Sequence, residues 1–332
     1  MEASVKSLAA ALLVAVAMPA FAQGGPSFDC AKASTVVERA ICKSVELSKA
    51  DHDMAAIYAG LVAKLSGPAK DHLLKDQVRW IGNREPACSD GPLETPQCLK
   101  MRYAHRIAFL RALDGAGTYP FVSEHDLVKN GRVNKTRYQI DASYPQFDGA
   151  TADFTATNRR FADDAQKGAD SAIPPAGYNP DRGQTWSYEQ GFALYRPSAD
   201  AVAVATQLYG YTGGAHGNGG TFASLVDLRS GRIVPPSAVF KPGDEWLRTI
   251  AAMVGADLEK QFVEHQGFDD AIKPANLAKL LGDPDRWLFK ANALQLLFNP
   301  YDVGPYSSGS YTVDIPYNRI RSLLRADGPL RR

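Results

Sequence analysis

The chain has 332 residues and four cysteines, and its 37 Lys and Arg nearly balance 36 Asp and Glu, for a formal net charge of +1. This balance predicts neither a nucleic acid nor an anionic membrane surface as a partner. About 310 residues follow the N-terminal segment described next, a length typical of two domains.

The first 22 residues have the pattern of a secretory signal peptide. Lys6 precedes an apolar run over residues 8–17, and Ala20-Phe21-Ala22 supplies the small residues of a cleavage site. The apolar run is too short to span a bilayer, and no later stretch approaches the required length. We therefore expect a soluble protein, periplasmic or secreted after cleavage near Ala22, with no stable membrane insertion.

Residues 27–113 are predicted to form a small helical domain. Thr35 and Glu38 make a T-x-x-E capping box that opens a short first helix. Three longer helices follow, each with apolar residues at helical spacing. Their predicted core positions are Met54, Ile57, Tyr58, Leu61 and Leu65, then Leu73, Leu74, Val78 and Ile81 beside Trp80, then Leu99, Tyr103, Ile107 and Leu110.

All four cysteines lie in this helical region, at Cys30, Cys42, Cys88 and Cys98. An even number of cysteines in an exported chain predicts two disulfides, for which three pairings exist. We favour Cys30–Cys42 and Cys88–Cys98, because each pair is close in sequence and lies where a loop meets a predicted helix. The disulfides would compensate for a thin helical core.

The cysteine spacing, together with Trp80-x-x-x-Arg84-x-x-x-Cys88 and Tyr103-x-x-Arg106, resembles the LprI-like domain. This family takes its name from a bacterial envelope protein that inhibits lysozyme. The resemblance implies a fold, an envelope setting and lysozyme as a partner. For Trp80 and Arg84 themselves we predict a structural contact, since an Arg one turn after a Trp commonly stacks on it.

Residues 114–120 contain two glycines and a proline and are predicted to be a linker. The predicted second domain covers residues 121–330. Its predicted strands lie at residues 137–141, 152–157, 186–195, 201–210, 222–228, 294–298 and 311–315, and its predicted helices at 158–168, 246–262 and 316–324. Without a regular βαβ period, this order favours an α+β domain with a mainly antiparallel sheet. The fold class is therefore α+β overall, with a disulfide-bonded all-α domain first.

The second domain is organised around residues 201–220, where a short apolar run leads into a glycine-rich tip that surrounds His216. A bounded apolar run of this length suits a buried strand. Glycines at this density indicate positive φ angles or close approach to another surface. The tip is either a conformational turn or a binding loop, and the sequence favours neither.

Several stretches of this half together resemble the C-terminal domain shared by RsiV, a lysozyme-sensing anti-sigma factor, and the peptidoglycan deacetylase PdaC. They are residues 211–218, Asp227-Leu228-x-x-Gly231, residues 298–306, Gly309 and Val313-x-Ile315-Pro316-Tyr317. The resemblance implies lysozyme recognition. Because we find no transmembrane helix ahead of this half, it does not imply the signalling role.

Two groups of residues are candidate binding sites. The first is Tyr211, Thr212, Gly213, Gly214, His216 and Asn218, whose backbone N–H groups and imidazole are potential hydrogen-bond donors. The second is Tyr301 and Tyr306, held between prolines, for which loop packing is the alternative. We find no H-E-x-x-H or G-x-S-x-G motif, and the six histidines are dispersed, so we expect no catalytic residues, metal or cofactor.

The sequence thus predicts an exported, non-enzymatic binding protein of the cell envelope, with lysozyme or a related muramidase as its partner. It would act by obstructing the glycan cleft of that enzyme. The alternative is an envelope module that binds peptidoglycan or a toxin effector without inhibiting lysozyme. A cell-wall enzyme is the third and weakest hypothesis.

Overall fold

The computed structural model describes residues 25–89, 93–114, 121–149 and 152–330. The predicted signal peptide and residues 115–120 of the predicted linker lie outside these ranges. Asp114, the first residue of that linker, is the last residue of a helix. Within the described ranges, none of the helices combines the length and the apolar character that crossing a bilayer requires.

The first part of the chain is helical, as predicted. Its helices are α1 Val36–Lys43, α2 Val45–Lys64, α3 Gly67–Cys88 and α4 Thr95–Asp114. The capping box is present, because Thr35 accepts from the Glu38 backbone N–H while the Glu38 carboxylate accepts from that of Thr35. α2 begins earlier than the apolar pattern indicated, since Ser44 caps it by accepting from Leu47 N–H.

Two disulfides connect segments of the helical part, and their pairing, Cys30–Cys42 and Cys88–Cys98, is the predicted one. Cys30–Cys42 links the segment before α1 to the last turn of that helix, and Cys88–Cys98 links the end of α3 to the first turn of α4. Each bridge closes a short loop, so each contributes about 3 kcal/mol in the chain-entropy description.

The buried face of α3 differs from the predicted one. Leu73 and Trp80 are buried as expected, but Leu74, Val78 and Ile81 are 54%, 63% and 44% exposed. In their place, α3 buries polar side chains, including Asp76 and Gln77. The Arg84 guanidinium carbon lies 5.3 Å from the centre of the Trp80 ring, so the predicted structural contact between these two residues is present.

The second part is built on a six-stranded sheet in sequential order. Its strands are β1 Phe121–Val133, β2 Thr136–Asp148, β3 Gln184–Ser198, β4 Ala201–Tyr211, β5 Asn218–Asp227 and β6 Arg232–Val234. Every neighbouring pair is antiparallel except β2 and β3, which are parallel. The parallel connection contains α5, Thr155–Ser171. The strand predicted at residues 152–157 is therefore wrong, because these residues lead into α5 and begin it.

The remainder of the chain forms three helices and a smaller antiparallel sheet. Its helices are α6 Glu245–Gln261, α7 Pro274–Leu281 and α8 Tyr317–Ile320, and its strands are β7 Trp287–Phe289, β8 Ala293–Phe298 and β9 Tyr311–Pro316. The predicted closing helix is shorter than expected, because a 3₁₀ turn over Arg321–Leu323 follows α8. The α+β class with a mainly antiparallel sheet is confirmed.

The first five residues of β4, 201–205, are buried on both faces of the sheet, which explains their uninterrupted apolar sequence. Val202 and Val204 belong to a core shared with the helical part, whereas Ala201, Ala203 and Ala205 belong to a second core with α6 and the smaller sheet. The helical part and the large sheet therefore share one hydrophobic core.

A buried ion network lies where α3 and α4 pack against β1. Arg106 of α4 donates to the Asp76 carboxylate at 2.6 Å and to Glu124 of β1 at 2.8 Å. Glu124 also faces His105 Nδ1 at 3.0 Å. Burial alone would raise the pKa of Glu124, but the His105 and Arg106 cations lower it to about 2. Burial raises the pKa of Asp76 to about 6 against the pull of Arg106, and the neighbouring Glu124 adds to the rise.

His105 also provides a hydrogen-bonding partner for the unpaired part of β3. The β2–β3 pairing ends at Ala142 and Gln190, so the backbone of Phe192 beyond it has no partner strand on that side. His105 Nε2 fills this position, 2.7 Å from the Phe192 carbonyl oxygen. Burial alone would lower the His105 pKa, but Glu124 raises it. When it is protonated, the ring can donate from both nitrogens.

Candidate functional site

The glycine-rich tip connects β4 to β5 and has the backbone that its glycines predict. Gly213 and Gly214 have φ angles of 95° and 101°, a region that side chains with a Cβ rarely adopt. The Tyr211 hydroxyl donates to the Gly214 carbonyl at 3.0 Å and closes the turn. The Thr212, Gly214 and His216 side of the tip is exposed.

The next glycines in the sequence serve close packing instead of unusual dihedral angles. A Cβ on Gly217 would lie 2.4 Å from the Tyr209 ring and 2.6 Å from the Gly210 carbonyl oxygen. A Cβ on Gly220 would lie 2.6 Å from the Asn299 side chain. The glycine density therefore has two separate physical causes, positive φ at the tip and close approach at its base.

His216 and Tyr306, predicted as members of different sites, are in contact. Their rings stack with centroids 3.9 Å apart and an interplanar angle of 21°. The Tyr306 hydroxyl donates to the Gly217 carbonyl at 2.9 Å, and His216 Nδ1 lies 2.9 Å from the same oxygen. The imidazole is thus fixed on the surface of the tip while the residue remains exposed.

The second loop is attached to the base of the first. The Asn299 side chain accepts from Thr221 N–H at 2.8 Å and donates to the Thr221 carbonyl at 3.2 Å, as a strand would. Asp302 accepts from Asn299 N–H at 2.6 Å and forms a salt bridge with Arg286. These bonds hold the loop by both its backbone and its side chains.

Tyr301 projects from this second loop. It has a φ of 75°, which is unusual for a residue other than glycine, and it is 56% exposed. Its ring centre lies 5.7 Å from that of Tyr306. A strained backbone that presents an exposed aromatic side chain is a feature found at binding sites.

The predicted site residues therefore form one surface. We call residues 211–218 and 299–306 together the loop surface. Asn218 lies at its edge as the first residue of β5, in register with Gly210. Sequence reasoning missed Asn299 and Tyr209 as the residues that anchor the loop surface, because their partners become neighbours only in the folded chain.

The loop surface is suited to recognition by hydrogen bonds and ring contacts. In the part of the chain that the structure describes, the His216 ring contacts the Tyr306 ring and the Gly217 carbonyl. Over the same ranges, no three His, Cys, Asp or Glu side chains are grouped so as to hold a metal ion.

Two protein families match separate parts of the chain. Residues 29–110 match the family described as Lysozyme inhibitor LprI. Residues 237–318 match the family described as a protein of unknown function, DUF3298. The chain joins an LprI-like domain to a DUF3298-type domain. The DUF3298 match includes Tyr301 and Tyr306 and begins after the glycine-rich tip. The predicted LprI resemblance is thus confirmed, and within the second half residues 237–318 are similar to DUF3298.

Two solved structures are similar to this chain. One is a DUF3298 family protein from Pseudomonas aeruginosa PAO1, with 17% sequence identity and a TM-score of 0.43 over 63% of this chain and 96% of that protein. The other is a DUF3298 family member from Bacteroides fragilis NCTC 9343, with 16% identity and a TM-score of 0.41 over 62% and 94%. Similarity at this level supports no statement about function. None of the curated proteins matches the chain.

Proposed function

We propose that this protein is an exported, non-enzymatic envelope protein that binds lysozyme or a related muramidase and obstructs its glycan cleft with the loop surface. The observation that carries the proposal is the stacked His216–Tyr306 pair, which joins two separately predicted binding segments into one exposed, anchored surface. The LprI match of residues 29–110 supports the choice of lysozyme as the partner.

The loop surface is rigid, which favours binding in a cleft. A flexible loop loses conformational entropy when it is held in a cleft, whereas an anchored loop has already lost it on folding. Asn299 fastens the second loop to β5, and Tyr306 fastens it to the Gly217 carbonyl. Tyr301, which is 56% exposed, is free to contact a partner with a large and rigid side chain.

The chemistry of the loop surface also fits the proposed target. Lysozyme places two carboxyl groups on either side of the bond that it cleaves. The turn at Gly213 and Gly214, of which Gly214 is exposed, offers backbone N–H groups as donors, and His216 adds an imidazole. Donors of this kind suit a carboxylate-lined cleft.

Export is part of the same proposal. All four cysteines are paired in disulfides, which form and persist in oxidising compartments such as the periplasm. The N-terminal pattern at residues 1–22 fits a cleaved signal peptide. We place the mature protein, from residue 23 onward, in the periplasm or outside the cell.

The test is a calorimetric titration of residues 23–332 with chicken-type, invertebrate-type and goose-type lysozymes, beside a turbidity assay of cell lysis. We expect saturable one-to-one binding to one class with a matching loss of lysis. His216→Ala and Tyr301→Ser should each weaken binding about tenfold and leave the melting temperature unchanged. His52→Ala, at an exposed histidine of α2, is the matched control and should bind normally.

A second pair of variants separates the loop surface from the LprI-like domain. Leu74→Ser and Val78→Ser change the exposed apolar side chains of α3. If these variants lose lysozyme and the loop variants keep it, the obstruction mechanism is wrong while the partner is right. If no lysozyme binds and the protein sediments with purified sacculi instead, the peptidoglycan-binding alternative replaces the proposal.

A further inference from the structure

A cleft lies between the first half of α4 and the large sheet. It encloses about 320 Å³, a volume within the range of small-molecule sites. Its floor is a row of side chains in register across three strands, Asp141 of β2, Glu189 of β3 and Tyr209 of β4. Apolar side chains including Leu93 and Met101 line its other side, and both are partly exposed to solvent.

The cleft is lined by more carboxylates than cations. Glu124 is neutralised by Arg106 and His105, as described above. Among the remaining lining residues Arg102 is the cation, and it forms ion pairs with both Asp126 and Asp141. Glu189 lies directly beside Asp141 and adds a third carboxylate. The cleft thus contains one guanidinium, which pairs with Asp126 and Asp141, and a third carboxylate on Glu189.

Asp126 has an unused acceptor at this cleft. Its side chain is only 2% exposed, and one oxygen accepts from Asn83 at 2.9 Å and faces Arg102 at 3.5 Å. The other oxygen, Oδ1, is buried and has no hydrogen-bond partner among the described residues. A buried carboxylate oxygen without a donor is costly, which indicates that a donor belongs beside it.

We propose that this cleft is a binding site for a ligand that carries a primary ammonium group on an aliphatic stem. The ammonium would lie among Asp126, Asp141 and Glu189, and the stem would lie along Leu93 and Met101. An ammonium supplies three N–H donors and no acceptor, which matches a site with surplus carboxylate oxygens. An anion would meet net negative charge, and the described residues contain no grouping suited to a metal ion.

The protonation of the cleft supports a cationic ligand. Burial, followed by the nearby Glu124, raises the pKa of Asp126 to about 6 against the pull of Arg102, with Asn83 and Asp141 as its other neighbours. Burial and Asp141 also raise the pKa of Glu189. A bound cation stabilises both carboxylates and lowers both pKa values, so binding near pH 6 should release protons.

The experiment is a calorimetric titration of the mature full chain with 1,5-diaminopentane and, separately, with N-acetyl-lysine methylamide. Both carry the required ammonium, but the first represents a free amine and the second a lysine side chain of a protein. 1-Pentanol is the neutral control. We expect saturable one-to-one binding of at least one amine, no saturable binding of pentanol, and proton release at pH 6, measured by comparing buffers of different ionisation enthalpy.

Glu189→Gln tests the assignment at a carboxylate whose pKa is raised by burial and by Asp141, with no cation among the causes of the shift. We expect it to weaken amine binding about tenfold or more. Glu259→Gln, on the exposed face of α6, makes the same charge change away from the cleft and should have no effect. Tighter binding of diaminopentane would identify a free amine as the natural ligand type, and equal or tighter binding of the lysine derivative a protein side chain.

Three results would overturn the proposal. The first is that neither amine binds saturably to the folded protein. The second is that pentanol binds as tightly as the amines, which would make the cleft an apolar pocket only. The third is that Glu189→Gln binds both amines as well as the unaltered chain does. An unchanged melting temperature of the variant shows that the comparison is made on folded protein.

Discussion

Replacing Arg106 by Met should destabilise the protein more than almost any other single change on α4. Arg106 and Asp76 have fully buried side chains, and that of Glu124 is 2% exposed. Methionine matches most of the arginine stem, so the change removes the charge and its hydrogen bonds with little loss of packed volume. Glu124 keeps His105, whereas Asp76 keeps Arg79, a partly exposed arginine 3.4 Å away.

The expected loss follows from this geometry. Removing one partner of a buried ion pair typically costs about 3–5 kcal/mol, because the remaining charge stays buried without compensation. A domain is stable by about 5–15 kcal/mol, so the variant loses a large share of its total stability. Part of the cost can be avoided by protonation. The pKa of Asp76 is already raised by burial to about 6 with Arg106 present, and it rises further without it.

The sign of the pH dependence follows. A carboxyl group whose pKa is higher in the folded than in the unfolded chain favours folding as the pH falls through the folded value. The deficit of Arg106→Met relative to the unaltered protein should therefore be smaller at pH 5 than at pH 8. Urea denaturation followed by tryptophan fluorescence at both pH values, with the disulfides intact, measures this difference.

Two further variants check the reasoning. Arg111→Met removes an exposed arginine from the same helix and should change the free energy of unfolding by about 0.5 kcal/mol or less. Combining Arg106→Met with Asp76→Asn and Glu124→Gln removes all three charges and should recover part of the loss. A loss below about 1 kcal/mol in Arg106→Met would refute the view that this network holds the helical part on the sheet.

Three other predictions follow from the packing and the charges. Gly217→Ala should cost about 1–3 kcal/mol in urea denaturation, because its Cβ would lie 2.4 Å from the Tyr209 ring. The pKa of Glu124 is about 2, below its ordinary 4.5, so it contributes stability above pH 4.5 that is lost as the pH falls towards 2. The urea midpoint of Glu124→Gln should therefore depend less steeply on pH over that window than that of the unaltered protein. Replacing Cys30 and Cys42 together by Ala should cost about 3 kcal/mol, measurable by denaturation against the unaltered oxidised protein.

The elements that could be predicted from sequence are those set by local signals. The Thr35–Glu38 capping box, the apolar run that became β4 and the short-range disulfide pairing all depend on residues close together in the chain. The strand predicted at residues 152–157 failed for the opposite reason. Phe154 packs against Phe147 of β2, a tertiary contact that the local sequence does not indicate, and the chain begins a helix at Thr155.

The buried face of α3 shows why apolar periodicity alone was insufficient. The pattern predicted Val78 and Ile81 as core residues and gave no role to Asp76. In the fold Asp76 is buried, because its partners Arg106 and Glu124 come from α4 and β1. A charged residue is buried when complementary charges reach it, and those charges lie tens of residues away in sequence.

Tyr209 explains why the glycine-rich tip could not be assigned to turn or binding loop from its sequence. It stands in the row that forms the floor of the cleft, and its ring also covers Gly217 at the base of the loop surface. Once the glycines are attributed to this ring and to the turn at the tip, they no longer count as evidence for a ligand. What remains is the exposure of His216 and Tyr301, which neither the turn nor the packing requires. His216 and Tyr301 are therefore the side chains best placed to contact a partner. Substitutions of these two residues, more than of the glycines, should change binding without changing the stability of the fold.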